Sequence, residues 1–278
     1  MLARPHCCLL ALLLMLPWPR TLYAEEICHA TSQDCAAVGQ WNVSVALGAG
    51  VITNPLLNGK NIPLVVVPEV SYYGKRIFLD DLDLGFTLAD TTHNTLNLIA
   101  SPGYDRAFFY RSDLQNIFVL ATSEGTVVVP ASTPGAVALP RRSRPVTYLA
   151  GPEWSFDYGG ITGQLDLLHE ITGRNKGDEI RAAVAVPLTV TRGTLSVHFG
   201  FTWKGAAVVR YFYGEPGIYE PGAALNPFLK LSYELPMSRR WRFKTYAQYE
   251  QLGGAIINSP IVAERFFFTA FAGAIYAF

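Results

Sequence analysis

Charge is scarce in this chain. Lys and Arg together number 22, Asp and Glu another 22, and the four types make up only 16% of 278 residues, against about 25% in an ordinary soluble domain. Half of the sequence is hydrophobic and 13% is aromatic, so a large apolar surface must face something other than water. The charges also cancel. With no basic excess there is no electrostatic case for nucleic acid, whose binding rests on cations matched to phosphate, and none for a polybasic membrane anchor. Cysteine is rare at four residues, and neither a zinc-ligand spacing nor a glycine-rich phosphate loop occurs beyond the leader. Long apolar runs are missing too: the run at residues 7–16 falls well short of the roughly 20 residues that a membrane helix needs.

That short run has another use. Arg4 and His6 precede it, residues 17–23 follow it, and Ala24 stands where a small residue precedes cleavage. These are the three regions of a secretory signal peptide. The expected organisation is therefore a signal peptide over residues 1–24, a periplasmic segment over 25–40 and the main domain over 41–278. Two cysteines remain after processing, Cys28 and Cys35, and in an oxidising compartment they can close a small disulfide loop. A metal site with His29 is the rival, but it lacks a fourth ligand. No cofactor is expected.

From Trp41 onward the apolar residues recur with period two, as on strands whose faces meet different surroundings. Leu195, Val197, Phe199, Phe201 and Trp203 alternate with Thr194, Ser196, His198, Gly200 and Thr202; Trp241, Phe243, Ala247 and Tyr249 alternate with Arg242, Lys244, Tyr246, Gln248 and Glu250. Such segments are about ten residues long, which suits a tilted membrane crossing. Tight turns such as Gly159-Gly160 alternate with long links such as residues 204–222 and 252–264, as the periplasmic turns and outer loops of a membrane barrel do. The last apolar face runs through Tyr276 to the terminal Phe278, a pattern that resembles the assembly signal read by the barrel-insertion machinery. Strands span a bilayer only when closed into a ring, because hydrocarbon satisfies no free N–H or C=O.

The expected fold is thus all-β: a closed antiparallel transmembrane β-barrel in the outer membrane of a Gram-negative bacterium, surrounded by outer-membrane lipid. About twelve strands are predicted, near 41–51, 62–73, 77–88, 95–101, 115–129, 146–158, 161–171, 179–190, 194–203, 223–235, 240–251 and 265–278. Ten strands are the alternative if the stretch 102–144 contributes less.

If the apolar faces meet lipid, the opposite faces line the lumen. They carry Glu153, Asp157, Asp166, Arg181, Lys230, Glu234, Arg240, Arg242, Lys244 and Glu250. One reading is a lumen knitted shut by acid–base pairs; the other is a solute path whose selectivity follows its charges. Catalysis has weak support. Ser196 and His198 share a face, but Asp166 and His169 are three apart and so point to opposite faces of a strand.

Several local patterns resemble the MipA/OmpV family. Val67-Pro68-Glu69-Val70-Ser71-Tyr72-Tyr73 followed by Gly74-Lys75-Arg76-Ile77-Phe78 is similar to its second strand and turn, and residues 41–50 to its first strand. Tyr211-Phe212-Tyr213-Gly214 resembles its aromatic tripeptide before glycine, and Ser259-Pro260 its motif before the final strand. Leu57 stands where the family carries tyrosine, and Glu215-Pro216 replaces an apolar residue. The resemblance implies a non-enzymatic envelope protein that can scaffold peptidoglycan-remodelling machinery, with a lytic transglycosylase and a penicillin-binding protein as partners. A narrow porin-like channel or receptor is the alternative, and a barrel hydrolase a distant third.

Overall fold

Alternation becomes architecture in the computed structural model, which describes residues 38–109 and 144–278. Twelve strands close into one ring: β1 (Trp41–Ile52), β2 (Ile62–Tyr73), β3 (Ile77–Asp80), β4 (Asp83–Asp90), β5 (Asn94–Pro102), β6 (Tyr148–Tyr158), β7 (Ile161–Glu170), β8 (Asp178–Thr189), β9 (Thr194–Lys204), β10 (Ala224–Pro236), β11 (Trp241–Gln251) and β12 (Phe266–Ala277). Each is antiparallel to its sequence neighbours, and β12 returns to β1 in a register running from Ser44 opposite Ala277 to Ile52 opposite Thr269. The Phe278 N–H extends that ladder by donating to the Val43 carbonyl at 3.0 Å. Among the described residues no helix is long and apolar enough to cross a membrane; the crossing elements are strands.

The two faces of the ring differ as the alternation requires. Phe199, Phe201, Leu229 and Leu231 are exposed on the outside, whereas Lys204, Asn226 and Glu250 are buried within. An apolar face exposed all round a closed ring is stable only against hydrocarbon. Inside, the wall is not uniformly polar. Phe271 and Ile275 of β12 pack with Ala46, Leu64, Val67 and Tyr246. The Phe271 ring lies over Gly48 and Gly273, which face each other across the β1–β12 pair; a Cβ on Gly48 would stand 2.8 Å from that ring.

Connections differ between the two ends. Residues 74–76, 91–93, 159–160, 190–193 and 237–240 make a short-turn end, where Gly159 and Gly160 take φ of 63° and 83°, as a two-residue hairpin with the twist of its strands demands. The opposite, long-loop end carries residues 53–61, 103–109, 144–147, 171–177, 205–223 and 252–265, with α1 (Ala206–Tyr213) and α2 (Gly254–Ile257) inside the last two.

One expected strand resolves differently. The segment 77–88 is not a single strand but the short hairpin β3–β4, turned at Asp81-Leu82, with Asp81 at φ 51°. Asp tolerates this left-handed conformation better than most residues, so the turn needs no glycine. The expected strand at 115–129 lies outside the described residues. The ring reaches twelve because 77–88 supplies two strands, while β5 pairs directly with β6 from Asn94 opposite Phe156 to Pro102 opposite Tyr148.

Candidate functional site

The barrel interior is layered, and the long-loop end closes it. There the helix α1 follows β9 after Gly205 and buries Val208, Val209, Phe212 and Tyr213, the spacing of one helical face. They pack with Leu56, Ala224, Leu252 and Ile256, so three loops share a core that belongs to no single strand. Arg144 fastens this plug. Its guanidinium lies 4.4 Å from the Phe109 ring centroid, its Nε donates to the Phe212 carbonyl at 2.8 Å, and its Nη2 reaches Glu215 Oε1 at 3.2 Å.

The motif residues singled out in the sequence meet here. Ser259 Oγ donates to the Tyr213 carbonyl at 2.6 Å, and the Tyr211 hydroxyl donates to the Pro145 carbonyl at 3.1 Å. Gly214 is needed because a Cβ would stand 2.5 Å from the Arg210 carbonyl oxygen. Pro260 stays exposed. Glu215, which departs from the family pattern, supplies the buried partner of Arg144.

Beneath the plug lies a buried polar layer. Lys204 Nζ is 2.6 Å from both oxygens of Asp105, in the 3₁₀ turn Tyr104–Phe108, and the Tyr213 hydroxyl donates to the same carboxylate at 2.6 Å. Burial, and then the Asp105 charge, push the Tyr213 hydroxyl well above its ordinary pKa, so it remains a donor. Nearby, Arg181 binds Glu179 at 2.7 Å, the Ser101 hydroxyl at 2.8 Å and the Pro102 carbonyl at 3.3 Å. Asn226 donates to Glu250 at 3.1 Å and accepts from the Gly253 N–H at 2.9 Å. Lys204 and Asn226 thus fix loop residues Asp105 and Gly253 to strands, while Tyr213 joins two loops to each other.

Lower in the lumen the charges segregate by wall. Glu153 accepts from Asn97 at 2.7 Å and from Gln164 at 2.9 Å, and Gln164 also donates to Asp166 at 2.9 Å. Amides, not cations, hold these two carboxylates. Across the ring, Glu69 accepts from Arg242 at 2.9 Å and Lys244 at 3.1 Å, Lys244 lies 3.5 Å from Glu234, and Lys230 Nζ sits 5.0 Å from the Tyr246 ring centroid. A cavity of about 400 Å³ reaches the short-turn end, lined by Thr95, Ser155, Gln164 and His198 with His93 and Asp157 at its rim. His198 Nε2 is 3.0 Å from Ser232 Oγ on β10, not from Ser196. Asp166 is buried in the lumen, while His169 pairs outside with Asp178 at 2.7 Å.

One expected lumen charge sits elsewhere and another marks the lumen's edge. Arg240 belongs to the turn before β11, and its Nη1 donates to the Tyr276 hydroxyl at 3.1 Å, so it does not enter the lumen: its even position continues the pattern of β11, but the strand begins only at Trp241. Asp157 does line the lumen cavity, at its rim, where it also accepts from the Gly160 N–H at 3.3 Å. Cys28 and Cys35 lie outside the described residues, and among the described residues no cluster of His, Cys, Asp or Glu could hold a metal ion. Sequence parity could have found Lys204 and Glu179, each two residues from a lumen position on its own strand. Asp105 and Arg144 carry no such signal.

The model of one protein family, described as MltA-interacting protein MipA, matches residues 47–278. The chain belongs to the MipA family. No curated protein matches the sequence. Among solved structures, an outer membrane protein of Vibrio cholerae, OmpT with its loop L8 deleted, is similar over 87% of this chain and all of its own, at 10% identity and a TM-score of 0.33. A porin is similar over 86% of this chain and 99% of its own, at 10% identity and a TM-score of 0.36. The family assignment rests on the sequence; the barrel rests on the strand pairing itself.

Proposed function

We propose that this MipA-family barrel is an outer-membrane scaffold, acting by binding rather than by catalysis or bulk passage. The carrying observation is the plug: three long loops fold inward onto one core and are pinned by Lys204, Asp105 and Arg144. A ring filled at its loop end is suited to holding a fixed surface in the envelope and poorly suited to free diffusion. The opposite end then carries the contact through its short turns, and the segment 25–40 is the second candidate for it. The family description names MltA as the interacting protein, which supports a lytic transglycosylase as a partner here; a penicillin-binding protein as second partner rests on the resemblance alone. Pull-down from solubilised envelopes with those two enzyme classes tests the reading: co-elution is expected, and a clean negative with both removes it. Location is tested by fractionation with heated and unheated gel lanes, where heat-dependent migration in the outer-membrane fraction is expected.

The cavity of about 400 Å³ at the short-turn end favours a second reading, a receptor for small polar solutes. Its hydroxyl and amide lining suits an uncharged, hydroxyl-rich ligand. Equilibrium dialysis against such solutes separates the two readings, since a pure scaffold retains none.

A further inference from the structure

The charges of this chain cancel in number but not in place. Arg144, Arg181, Arg210 and Arg242 each meet a carboxylate, inside the barrel or at its long-loop end. The short-turn end is different. Lys75 and Arg76 stand in one turn, Arg192 in another, and Arg239 and Arg240 in a third, all of them exposed. Among the described residues none of these forms an ion pair. Two acids of this end are engaged otherwise: Asp90 accepts from the Thr95 hydroxyl at 2.7 Å, and Asp157 from the Gly160 N–H at 3.3 Å.

Of these cations, Arg240 is held against the lipid-facing side. Along β12 Phe271, Gly273 and Ile275 are buried inside the ring, so Ala272, Ala274 and Tyr276 face outward by the alternation of the strand. Trp241 opens β11 opposite Tyr276; their rings lie 5.0 Å apart, and Trp241 is 40% exposed. The Arg240 Nη1 donates to the Tyr276 hydroxyl at 3.1 Å. That bond places the guanidinium on the outer wall at the level of the aromatic belt, where a bilayer presents its headgroups. The backbone here is satisfied: β11 and β12 pair from Trp241 opposite Tyr276 to Gln251 opposite Phe266, and the Ala277 N–H donates to the Arg240 carbonyl at 2.9 Å. What is left to bind a ligand is side chains alone.

Those side chains are donors. The guanidinium carries its N–H groups in a rigid fork, and the bond to Tyr276 uses only part of it. The Tyr276 hydroxyl, having accepted that bond, keeps its own proton to give. The Trp241 indole N–H stands on the same outer face, and Arg239 adds a second positive charge. A fork beside a hydroxyl donor suits the oxygens of a phosphate. The rest of the headgroup is constrained too, because an ammonium would meet cations here and no carboxylate. The phosphate must therefore carry an uncharged group, which leaves the lipid anionic. The neighbouring turn lacks this arrangement: Tyr233 gives its proton to the Arg192 carbonyl at 2.8 Å, and Arg192 stands without a donor hydroxyl beside it.

We infer that the outer face of the β11–β12 seam, at the short-turn end, binds an anionic phospholipid of the adjoining leaflet. Its phosphate seats on Arg240, Arg239 and the Tyr276 hydroxyl, and its acyl chains descend over the outward pair Phe243 and Ala274.

The test is native mass spectrometry of the refolded chain in detergent, titrated with phosphatidylglycerol and with phosphatidylethanolamine of the same acyl chains; heat-dependent migration shows that each variant has closed its barrel. Phosphatidylglycerol should bind roughly ten-fold tighter than phosphatidylethanolamine. Each cation beside an anionic headgroup contributes about five-fold, so Arg239→Gln/Arg240→Gln should weaken phosphatidylglycerol by roughly thirty-fold and abolish the preference. Tyr276→Phe keeps every charge and should still weaken it by about ten-fold, because it removes a donor to a charged group. Arg192→Gln should change it by less than about two-fold, as expected of a screened surface charge. Equal affinity for the two lipids overturns the proposal, since no headgroup is then selected. Equal losses from Arg192→Gln and Arg240→Gln overturn it by reducing the site to diffuse surface charge. Inorganic phosphate in excess should leave the bound lipid in place; displacement by it would make this a site for a soluble anion, and would end the lipid assignment.

Discussion

Lys204 at the end of β9 and Asp105 in the 3₁₀ turn are 99 residues apart in sequence, yet Nζ lies 2.6 Å from both carboxylate oxygens in a buried site. The pair joins barrel wall to plug. Removing one partner leaves an uncompensated buried charge, which costs ~3–5 kcal/mol. Lys204→Met and Asp105→Asn should each lower the denaturant midpoint of the refolded protein accordingly. The double variant Lys204→Met/Asp105→Asn should lose clearly less than the two losses added together, because no orphan charge remains. Additive losses would mean that the two groups are not coupled.

Phe212 is 1% exposed at the centre of the plug, against the Phe109 ring at 5.9 Å. Phe212→Ala removes a buried aromatic from a closed core, at a cost of ~3–5 kcal/mol. Because that core is assembled from loops, the loss falls on the plug before the wall. Planar-bilayer recordings should show frequent channel openings in the variant and few in the parent. Equal conductance in both would place the barrier elsewhere in the lumen.

How much of this was legible in the sequence follows from what signals periodicity carries. Thr194 to Trp203 alternate strictly because one face meets lipid, and β9 was readable for that reason. The β3–β4 hairpin was hidden because its turn uses Asp81 at φ 51° in place of a glycine, so Leu79-Asp80-Asp81-Leu82-Asp83-Leu84 passes for one strand. The helix α1 is eight residues long, barely two turns, too short for a 3.6-residue period to stand out within a loop. Lys204 could be placed by parity. Its partner Asp105 sits in a turn that imposes no period, and only the folded chain brings the two together.

Glu69 balances two cations of the lower lumen, Arg242 at 2.9 Å and Lys244 at 3.1 Å. Glu69→Gln removes one negative charge and leaves both cations, so the local field turns positive. A unit charge ~4 Å from a solute path acts with ~1 kcal/mol in water-like surroundings, about five-fold in relative occupancy. In the conducting Phe212→Ala background, Glu69→Gln should therefore shift the reversal potential toward anions by that order. A shift toward cations, or none, would mean that permeating ions do not pass the Glu69 wall.

Phe278 separates assembly from stability. Its N–H donates to Val43 at 3.0 Å, and its ring meets Tyr276 edge-on at 5.1 Å, but the side chain is otherwise open, at 78% exposure. Removing so exposed a ring sacrifices little buried area, and the rest of the β1–β12 ladder stays intact. Phe278→Ala should therefore refold in detergent with a heat-modifiable band as strong as the parent's. In cells the same variant should accumulate poorly in the membrane fraction if the terminal aromatic is what the insertion machinery reads, as its resemblance to the barrel assembly signal implies. Normal accumulation in cells would show that β12 is recognised through Tyr276 and the apolar face behind it, and a failure to refold in detergent would show instead that the ring closes through Phe278 itself.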